Sequence, residues 1–365
     1  EQKMLKDSAK ELLATKSPVS KMRDLRDSKY TPYDPKLWDE MISMGWSALT
    51  IPESYNGLDF GFVGLGQVLE ETGRNLSKSP LISSILLGTS ALRLSDNEIL
   101  KAKLFPGIME GTCKLAFAIQ EGIYHQTKLF KTSAVLDGEN YKINGSKTIV
   151  VDGSTADHYI VVCQVNDNLS LFIVDSNSKG ITISKKILMD SGSYADVTFK
   201  NVSVSAENQL NIKLDGRQLL DQIMAIAYAG ISAELLGICK QSFDITIKYL
   251  KERQQFGVKI GTYQALQHRA VILFSEIELC KSIVLKALQA IDDNHPKALK
   301  YSHLAKAKLC KTAKLVTNEA IQLHGGIGVT DDADIGFYLK RARVAKQLFG
   351  DYNYHIDQLA LIKGY

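Results

Sequence analysis

The 365-residue sequence lacks several features that would quickly assign it to a class of protein. It has no run of about 20 uncharged apolar residues, the length that a membrane-spanning helix needs, and residues 1–11 are polar and charged. The net charge is only +4, and the lysines are spread along the chain rather than gathered in a tract. We therefore expect no membrane span, no nucleic-acid surface and a cytoplasmic location.

Paired cysteines are also missing. The five cysteines show no Cys-x-x-Cys spacing, and no histidine stands near a cysteine at the spacing of zinc ligands. Several of them lie in apolar runs, such as Ile-Val-Val before Cys163. The sequence predicts free, buried thiols in a reducing compartment and no metal site.

The hydrophobic period changes twice along the chain and thereby predicts three domains. Helical spacing runs through residues 1–113, a period of two follows in residues 114–213, and long helical patterns fill residues 214–365. The middle strands are short and separated by frequent turns, which is typical of a barrel or sandwich. We predict a multidomain α+β fold with an N-terminal helical domain, a middle β-barrel and a C-terminal four-helix bundle, and no alternating Rossmann sheet.

Local signals add finer predictions. Asp137-Gly138 and Asn144-Gly145 each predict a hairpin turn between strands. A helix is expected over Glu98 to Phe105, and Pro106 and Gly111 are expected to close the first helical region, because proline interrupts a helix. In the amphipathic helix predicted over Phe62 to Arg74, Glu70 and Glu71 are expected on the solvent side.

Residues 253–257, Arg-Gln-Gln-Phe-Gly, end the longest helical pattern. Arg253 is a permanent forked cation suited to a diphosphate, and Phe256 offers a flat face to a purine. Gly257 would let the helix stop in the left-handed region. The alternative is an ordinary helix end with a basic last turn.

Residues 322–328, Gln-Leu-His-Gly-Gly-Ile-Gly, form the second candidate. Three glycines in four positions would let a ligand approach the backbone and its amide groups closely. The alternative is a glycine-rich turn between two helices.

Two carboxylates complete the candidates. Glu234 interrupts an apolar stretch of the long helical pattern, where a buried carboxylate could act as a base or could simply face a structural partner. Asp351 follows the last helix of the bundle and could bind a ligand or cap the next helix.

Together these motifs resemble the acyl-CoA dehydrogenase family over nearly the whole chain. The residues that carry the resemblance are the Pro-Glu-Ser-Tyr-Asn-Gly turn at 52–57, Glu-Glu-Thr-Gly-Arg at 70–74, Asn-Gly-Ser-Lys at 144–147, Asp-Gly-Ser-Thr-Ala-Asp at 152–157, Arg-Gln-Gln-Phe-Gly at 253–257, Gln264, and Gln-Leu-His-Gly-Gly at 322–326.

The resemblance implies FAD bound at a subunit interface. The middle domain would hold the isoalloxazine ring of a subunit's own FAD, and the bundle would hold the ADP part of a neighbour's. The cofactor-binding residues implied by position are Arg253, Gln255, Phe256, Gln264, Gln322, Gly325, Gly326, Gly350, Asp351 and Asn353.

The chain also departs from the family pattern. Phe349 stands where the family's usual catalytic glutamate precedes a glycine, and Ala227 stands at the alternative position on the long helix. Glu234, seven residues further on, is the remaining candidate base in this chain. In the middle domain, residues 120–127 replace the family's Thr-Glu-Pro-x-x-Gly-Ser-Asp segment, and Ile149 and Val151 replace the flavin-facing tryptophan and threonine.

The resemblance therefore implies a subunit of a flavin-dependent acyl-CoA dehydrogenase that forms a trans-2-enoyl-CoA and passes electrons to an electron-transfer flavoprotein. The chain looks most like the small subunits of α2β2 dehydrogenases that act on steroid side-chain or pimeloyl-type thioesters. A homo-oligomer that uses Glu234 as its base remains open. So does a non-catalytic subunit that completes the FAD site of a homologous partner.

Overall fold

The computed structural model describes residues 1–28 and 31–365, which divide into two compact units. The first unit contains Glu1–Asp24, Gly66–Ser77 and Tyr228–Tyr365. The second contains Leu25–Leu65 and Lys78–Ala227. The units follow internal contacts and differ from the three predicted domains, because long helices run from one unit into the other.

The N-terminal third is helical, as predicted. Its helices are α1 (Gln2–Lys16), α2 (Val19–Asp27), α3 (Pro35–Ser43), α4 (Gly61–Asn75), α5 (Ser90–Leu94) and α6 (Glu98–Met109), with a π-helical segment at Leu81–Thr89 before α5. Pro106 lies inside α6, so the predicted helix end at Phe105 is wrong, whereas Gly111, with a φ of +73°, does follow the end of the helical region. Leu104 and Phe105 beside Pro106 are buried, and their packing outweighs the backbone hydrogen bond that proline removes.

The middle of the chain forms one curled, seven-stranded sheet. Its strands are β1 (Leu115–Ala118), β2 (Ser133–Asp137), β3 (Asn140–Val151), β4 (His158–Val165), β5 (Asn168–Asp175), β6 (Ile181–Ile187) and β7 (Ser193–Ser205). They pair in the order β1-β4-β2-β3-β7-β6, and β5 also pairs with β4. Apolar side chains from both ends of the sheet meet in a single buried core.

One of the two predicted hairpin turns is confirmed and the other is wrong. Asp137 ends β2 and pairs with Asn140 across a two-residue turn. Asn144 and Gly145 lie inside β3, where the register against β7 shifts at a bulge. Gly145 has a φ of +146°, and a Cβ at this position would collide with Thr132. The glycine is therefore needed for the bulge and for close packing, two roles that resemble a turn at the sequence level.

The C-terminal part is a helical bundle with one small hairpin. Its elements are α7 (Gly216–Glu252), β8 (Gln254–Gln255), β9 (Val258–Lys259), α8 (Gln264–Asp292), α9 (Ala298–His324), α10 (Ile335–Ala345) and α11 (Tyr352–Ile362). Helix α9 packs against α8, α10 and α11. By length and composition α7 could cross a membrane, which the sequence prediction overlooked, but 94% of its apolar window is buried within the protein.

Within the first unit, α4 crosses α7 at very close range. A Cβ on Gly73 would overlap the carbonyl of Glu234, and a Cβ on Gly237 would overlap the carbonyl of Glu70. Glu70 and Glu71 are both buried, so their predicted exposure is wrong. Ion pairs explain the burial of Glu70, whose carboxylate meets Lys6 at 2.7 Å and also Lys240.

Candidate functional site

The segment 253–257 forms an exposed hairpin after α7 ends at Glu252. Gln254 pairs with Lys259 and Gln255 with Val258, so Phe256 and Gly257 form a two-residue turn. Their φ angles are +53° and +80°, and positive values at both positions suit the twist of a hairpin. The prediction that Gly257 stops the helix is therefore wrong, because the glycine serves the hairpin turn instead.

Side chains on this hairpin remain available for binding. Phe256 is 83% exposed, and Arg253 and Gln255 are exposed as well. Within the described residues, no carboxylate lies within 4.0 Å of the Arg253 guanidinium. Gln264, which is also exposed, begins α8, where the first backbone N–H groups have no partner within the helix. An exposed phenylalanine beside an unpaired arginine is suited to a purine and a phosphate.

The glycine-rich turn follows the end of α9 at His324. Gln322, Gly325 and Gly326 are exposed, and Gly325 has a φ of +65°. A Cβ added to Gly326 would meet no atom within 4 Å, and its φ lies outside the left-handed region. The fold itself therefore does not require glycine at position 326, whereas a ligand seated on the backbone would.

A stacked pair of rings brings the two motifs together. Tyr249 lies one turn before Arg253 on α7, and its ring stacks on His324 with centroids 4.4 Å apart. The Nδ1 of His324 lies 2.7 Å from the carbonyl oxygen of Ala320 and donates to it. Burial holds the pKa of His324 below its usual value, which favours the neutral ring. The hairpin and the glycine turn thus belong to one surface of the first unit.

The third predicted binding segment connects α10 to α11. Gly350 is buried with a φ of +102°, Asp351 is half-buried and Asn353 is exposed. The Oδ1 atom of Asp351 accepts a hydrogen bond from the Tyr354 amide at 3.0 Å. The capping role that the sequence left open is therefore present, and a ligand role would be added to it.

Lys306 contributes to this segment and was not predicted. Its side chain is completely buried on α9, and its Nζ donates to the carbonyl oxygens of Lys346, Leu348 and Gly350. Its position gave one signal, because it stands among the buried residues of an amphipathic helix where a solvent-facing lysine is not expected.

Glu234 is buried and engaged in an ion pair. Its Oε1 accepts from Nε of Arg341 and its Oε2 from NH2 of the same guanidinium, both at 2.8 Å. This two-point pair joins α7 to α10 beside the Gly73 crossing. A carboxylate held at both oxygens by a guanidinium has the geometry of a structural tie, because a substrate proton would have to compete with that partner.

Comparison with known proteins decides the family. The N-terminal, middle and C-terminal domain families of acyl-CoA dehydrogenases match residues 1–112, 123–202 and 215–361. The chain belongs to the acyl-CoA dehydrogenase family. This family comprises FAD-dependent oxidoreductases that act on CH–CH bonds. The bounds predicted from the sequence at 113/114 and 213/214 stay predictions.

Similar proteins cover nearly the whole chain. The short/branched chain specific acyl-CoA dehydrogenase of Bos taurus mitochondria is 26% identical over 94% of this chain and 80% of its own length. Subunit CarC of the caffeyl-CoA reductase-Etf complex of Acetobacterium woodii is 26% identical over 94% of this chain and 92% of its own. The solved structure of a variant of the Tcur3481-Tcur3483 steroid ACAD has a TM-score of 0.91 and 26% identity, covering 100% of this chain and 98% of the other.

The surface described above has the chemistry that FAD requires of a family member. Arg253 offers an unpaired charge for the diphosphate, Phe256 offers a ring for the adenine, and Gly326 leaves space for close approach. None of these features is accounted for by packing within the chain. The assignment of these residues to the nucleotide half of FAD stays a prediction.

The two positions at which the sequence resemblance predicts a catalytic base are apolar and buried. Phe349 is 8% exposed and has a φ of +59°, and Ala227 is fully buried. Neither side chain can accept a proton. Among the candidates from the sequence, only Glu234 remains within this chain.

The middle-domain segment 120–127, where the sequence departs from the expected family pattern, is held by a buried ion pair. Lys147 is fully buried, and its Nζ lies 2.7 Å from Oε1 of Glu121. The Glu121 carboxylate also accepts the amides of Lys131 and Thr132 at 2.6 and 3.0 Å. Burial alone would raise the pKa of Glu121, but the Lys147 ammonium holds it below its usual value. The exposed tip of this segment carries Ile123, which is 95% exposed.

Proposed function

We propose that this chain is the supporting subunit of a heteromeric acyl-CoA dehydrogenase. In this proposal its C-terminal bundle completes the FAD site of a homologous partner, and the partner supplies the catalytic base. The observation that carries the proposal is the two-point pair between Glu234 and Arg341. It occupies the one candidate base left in a chain whose usual base position holds Phe349.

The nucleotide-binding half supports the same assignment. Arg253, Gln255, Phe256, Gln322 and Gly326 are exposed on the first unit rather than folded into a closed pocket of it. A surface of this kind suits the ADP part of a cofactor whose flavin ring lies in another subunit. Gln264 and Gly325 extend that surface, and Gly350, Asp351 and Asn353 would contact the nucleotide chain.

An exposed apolar face on α8 supports association with another subunit. Val271, Ile272, Phe274 and Leu279 are 61, 56, 53 and 57% exposed. At about 100° per residue these positions, with Leu285, fall within about 160° of the helix circumference. Ser275, Glu278 and Ser282 fall within the same sector, so the face is only partly apolar. Isolated exposed apolar residues are ordinary, but five on one side of a helix are typical of an interaction surface. We propose a homologous subunit in an α2β2 assembly as its occupant.

The reaction of the complex follows from the family. FAD supplies the hydride acceptor when it is bound, and the partner's carboxylate removes the α-proton of the acyl-CoA. Residues of this chain would bind and orient the nucleotide and would exclude water from it. An Etf complex and a steroid ACAD among the relatives support two finer proposals: electrons leave to an electron-transfer flavoprotein, and the substrate is a steroid or fatty acyl-CoA of a catabolic route in the cytoplasm.

The competing function is a self-sufficient homo-oligomeric enzyme with Glu234 as its base. It requires the Arg341 pair to open during each turnover, and burial on α7 works against that movement. The two functions predict different behaviour for the purified chain. They share the family and the cofactor and differ in which polypeptide carries the proton.

The test is to purify the chain alone and co-expressed with a homologous family member, and to measure flavin absorption and acyl-CoA turnover. We expect a colourless or weakly yellow chain alone, and a yellow complex with about one FAD per pair of subunits. Glu234→Ala in the complex should leave turnover per folded complex unchanged. A yellow chain that is bleached by acyl-CoA without any partner contradicts the proposal and makes Glu234 the base.

A further inference from the structure

Lys306 stands out among the buried charges. Of the lysines that the structure describes, only Lys147 is equally buried, and a carboxylate neutralises it. Lys306 has no carboxylate within 4.0 Å among the described residues, and its contacts are carbonyl oxygens and the Cys310 sulfur, 3.7 Å away. Burial lowers its pKa, so the fold works against the charge that these contacts favour.

The hydrogen bonds to Lys306 match its donors. The ammonium has three N–H groups and faces three carbonyl oxygens, those of Lys346 at 3.1 Å, Leu348 at 3.0 Å and Gly350 at 2.9 Å. These carbonyls follow the end of α10, where backbone oxygens lack helical partners and where a cation complements the helix dipole. Lys306 therefore acts as a side-chain cap supplied by a neighbouring helix.

The segment that it holds has an unusual backbone. Phe349 and Gly350 are consecutive residues with φ angles of +59° and +102°. Phenylalanine rarely adopts a positive φ, and such a conformation persists only when its surroundings enforce it. Lys306 binds the carbonyls on both sides of Phe349. It thereby fixes the two peptide groups whose orientation defines the bend.

The bend determines where α11 begins. Asp351 directly follows it and caps α11 through the Tyr354 amide. The first amides of α11 are left without helical partners, and the start of a helix favours negative charge. The ammonium of Lys306, which has no carboxylate within 4.0 Å among the described residues, adds positive potential beneath the same segment and is offset in part by Asp351 and Glu234.

We propose that Lys306 is a positioning residue that fixes the bend at Phe349-Gly350 and thereby orients the Gly350–Asn353 backbone for the diphosphate chain of FAD. The proposal rests on the proposed function for its ligand, but the positioning itself is a property of this chain. It also explains why a segment that carries Phe349 in place of a base keeps a buried ammonium. The segment binds the cofactor rather than transferring a proton.

The experiment compares Lys306→Met and Lys306→Gln with the wild type in the full chain and in the co-expressed complex. Methionine fills similar volume without donors, whereas the glutamine amide retains two. Lys314→Met is the matched control, because Lys314 is exposed on the same helix and its side chain belongs to no hydrogen bond or ion pair among the described residues. The readouts are amide hydrogen exchange of residues 346–355 by mass spectrometry and FAD affinity by fluorescence titration of the complex.

We expect the Gly350 and His355 amides to exchange at least about tenfold faster in Lys306→Met, with Lys306→Gln intermediate and Lys314→Met unchanged. FAD affinity should weaken in the same order, by about tenfold for the methionine variant. Unchanged exchange in folded Lys306→Met, or acceleration spread evenly over the chain, overturns the positioning role. If Lys306→Met does not fold, the same criteria apply to Lys306→Gln.

Failure of the two proposals can be told apart. A wild-type complex without FAD refutes the proposed function, while the exchange measurement still decides whether Lys306 holds the bend. A wild-type complex that binds FAD, and a Lys306→Met complex that binds it equally well, refute the link between Lys306 and the cofactor alone.

Discussion

Removing one partner of the Glu234–Arg341 pair should destabilise the first unit far more than removing both. The side chains are 7 and 16% exposed, so each charge is largely withdrawn from water. In Arg341→Met the carboxylate loses two hydrogen bonds of 2.8 Å and stays buried beside α4. Breaking such a pair costs about 3–5 kcal/mol, because the remaining charge is uncompensated. For a unit of this size, about 3 kcal/mol corresponds to a melting temperature lower by roughly 6–12 °C.

The matched double variant separates structure from chemistry. Glu234→Leu combined with Arg341→Met replaces the pair with apolar side chains and leaves no buried charge. Such replacements are often neutral or stabilising, so we expect a melting temperature within a few degrees of the wild type. Calorimetry of the complex gives the melting temperature, and the same samples give turnover per bound FAD. We expect the double variant to melt above Arg341→Met and to retain turnover.

Two results would refute this reasoning. If Arg341→Met has the same melting temperature as the wild type, the Glu234 carboxylate is not withdrawn from water as its low exposure implies. If instead the double variant keeps its melting temperature and loses turnover by a factor of about 100 or more, Glu234 has a chemical role, since general acid–base catalysis contributes about 10²–10⁴ in rate.

Three further predictions use other features of the chain. Gly326→Ala should leave the melting temperature unchanged, because a Cβ there meets no atom within 4 Å, yet should weaken FAD binding to the complex in a fluorescence titration. Lys147→Met should lower the unfolding free energy by about 3 kcal/mol, since it leaves the Glu121 carboxylate buried without its ammonium partner. Lys142→Met is the calorimetric control, because the Lys142 side chain belongs to no hydrogen bond or ion pair among the described residues. Burial lowers the pKa of His303 from 6.5 to about 4. Between pH 6.5 and pH 4 this histidine is therefore protonated in the unfolded chain and neutral in the folded chain. Stability should therefore decrease as the pH is lowered through that window, by about 2 kcal/mol at pH 5, and His303→Phe should flatten the profile in calorimetry.

Periodic and local signals could be predicted from the sequence. The turn predicted from Asp137-Gly138 joins two strands that are neighbours in the sequence, and Asp137 pairs with Asn140 across it. The end of α9 at His324 follows from the glycines after it. The five cysteines are free as predicted, and all but Cys113 are buried. These features depend on a few neighbouring residues, so one sequence contains most of the information that specifies them.

Features that depend on distant partners could not be predicted. Glu70 is charged and was placed on the solvent side, but Lys6 and Lys240 bury it, and these lie 64 and 170 residues away. Gly145 gave the same signal as a turn, although a close approach by Thr132 accounts for it. The sequence predicts a helix end at Phe256, whereas the residue lies in a hairpin turn. The two strands of this hairpin are only two residues long, which is too short to give a periodic signal. In each case the structure depends on a contact that the local hydrophobic pattern does not contain.

At Glu234 one sequence pattern is compatible with two different roles. A carboxylate within an apolar helix predicts either a base or a structural partner, and the sequence cannot choose because Arg341 is 107 residues away. Lys306 shows the converse, since a lysine on α9 gave little reason to expect a ligand for three carbonyls of another segment. Position 349 carries no carboxylate, and a buried ammonium contacts the backbone on both sides of it. Burying a charge is costly, so an ammonium beneath a residue that cannot transfer protons is consistent with a backbone shaped for binding. Proton transfer would then belong to the partner, and the interface between the two subunits would be the functional unit.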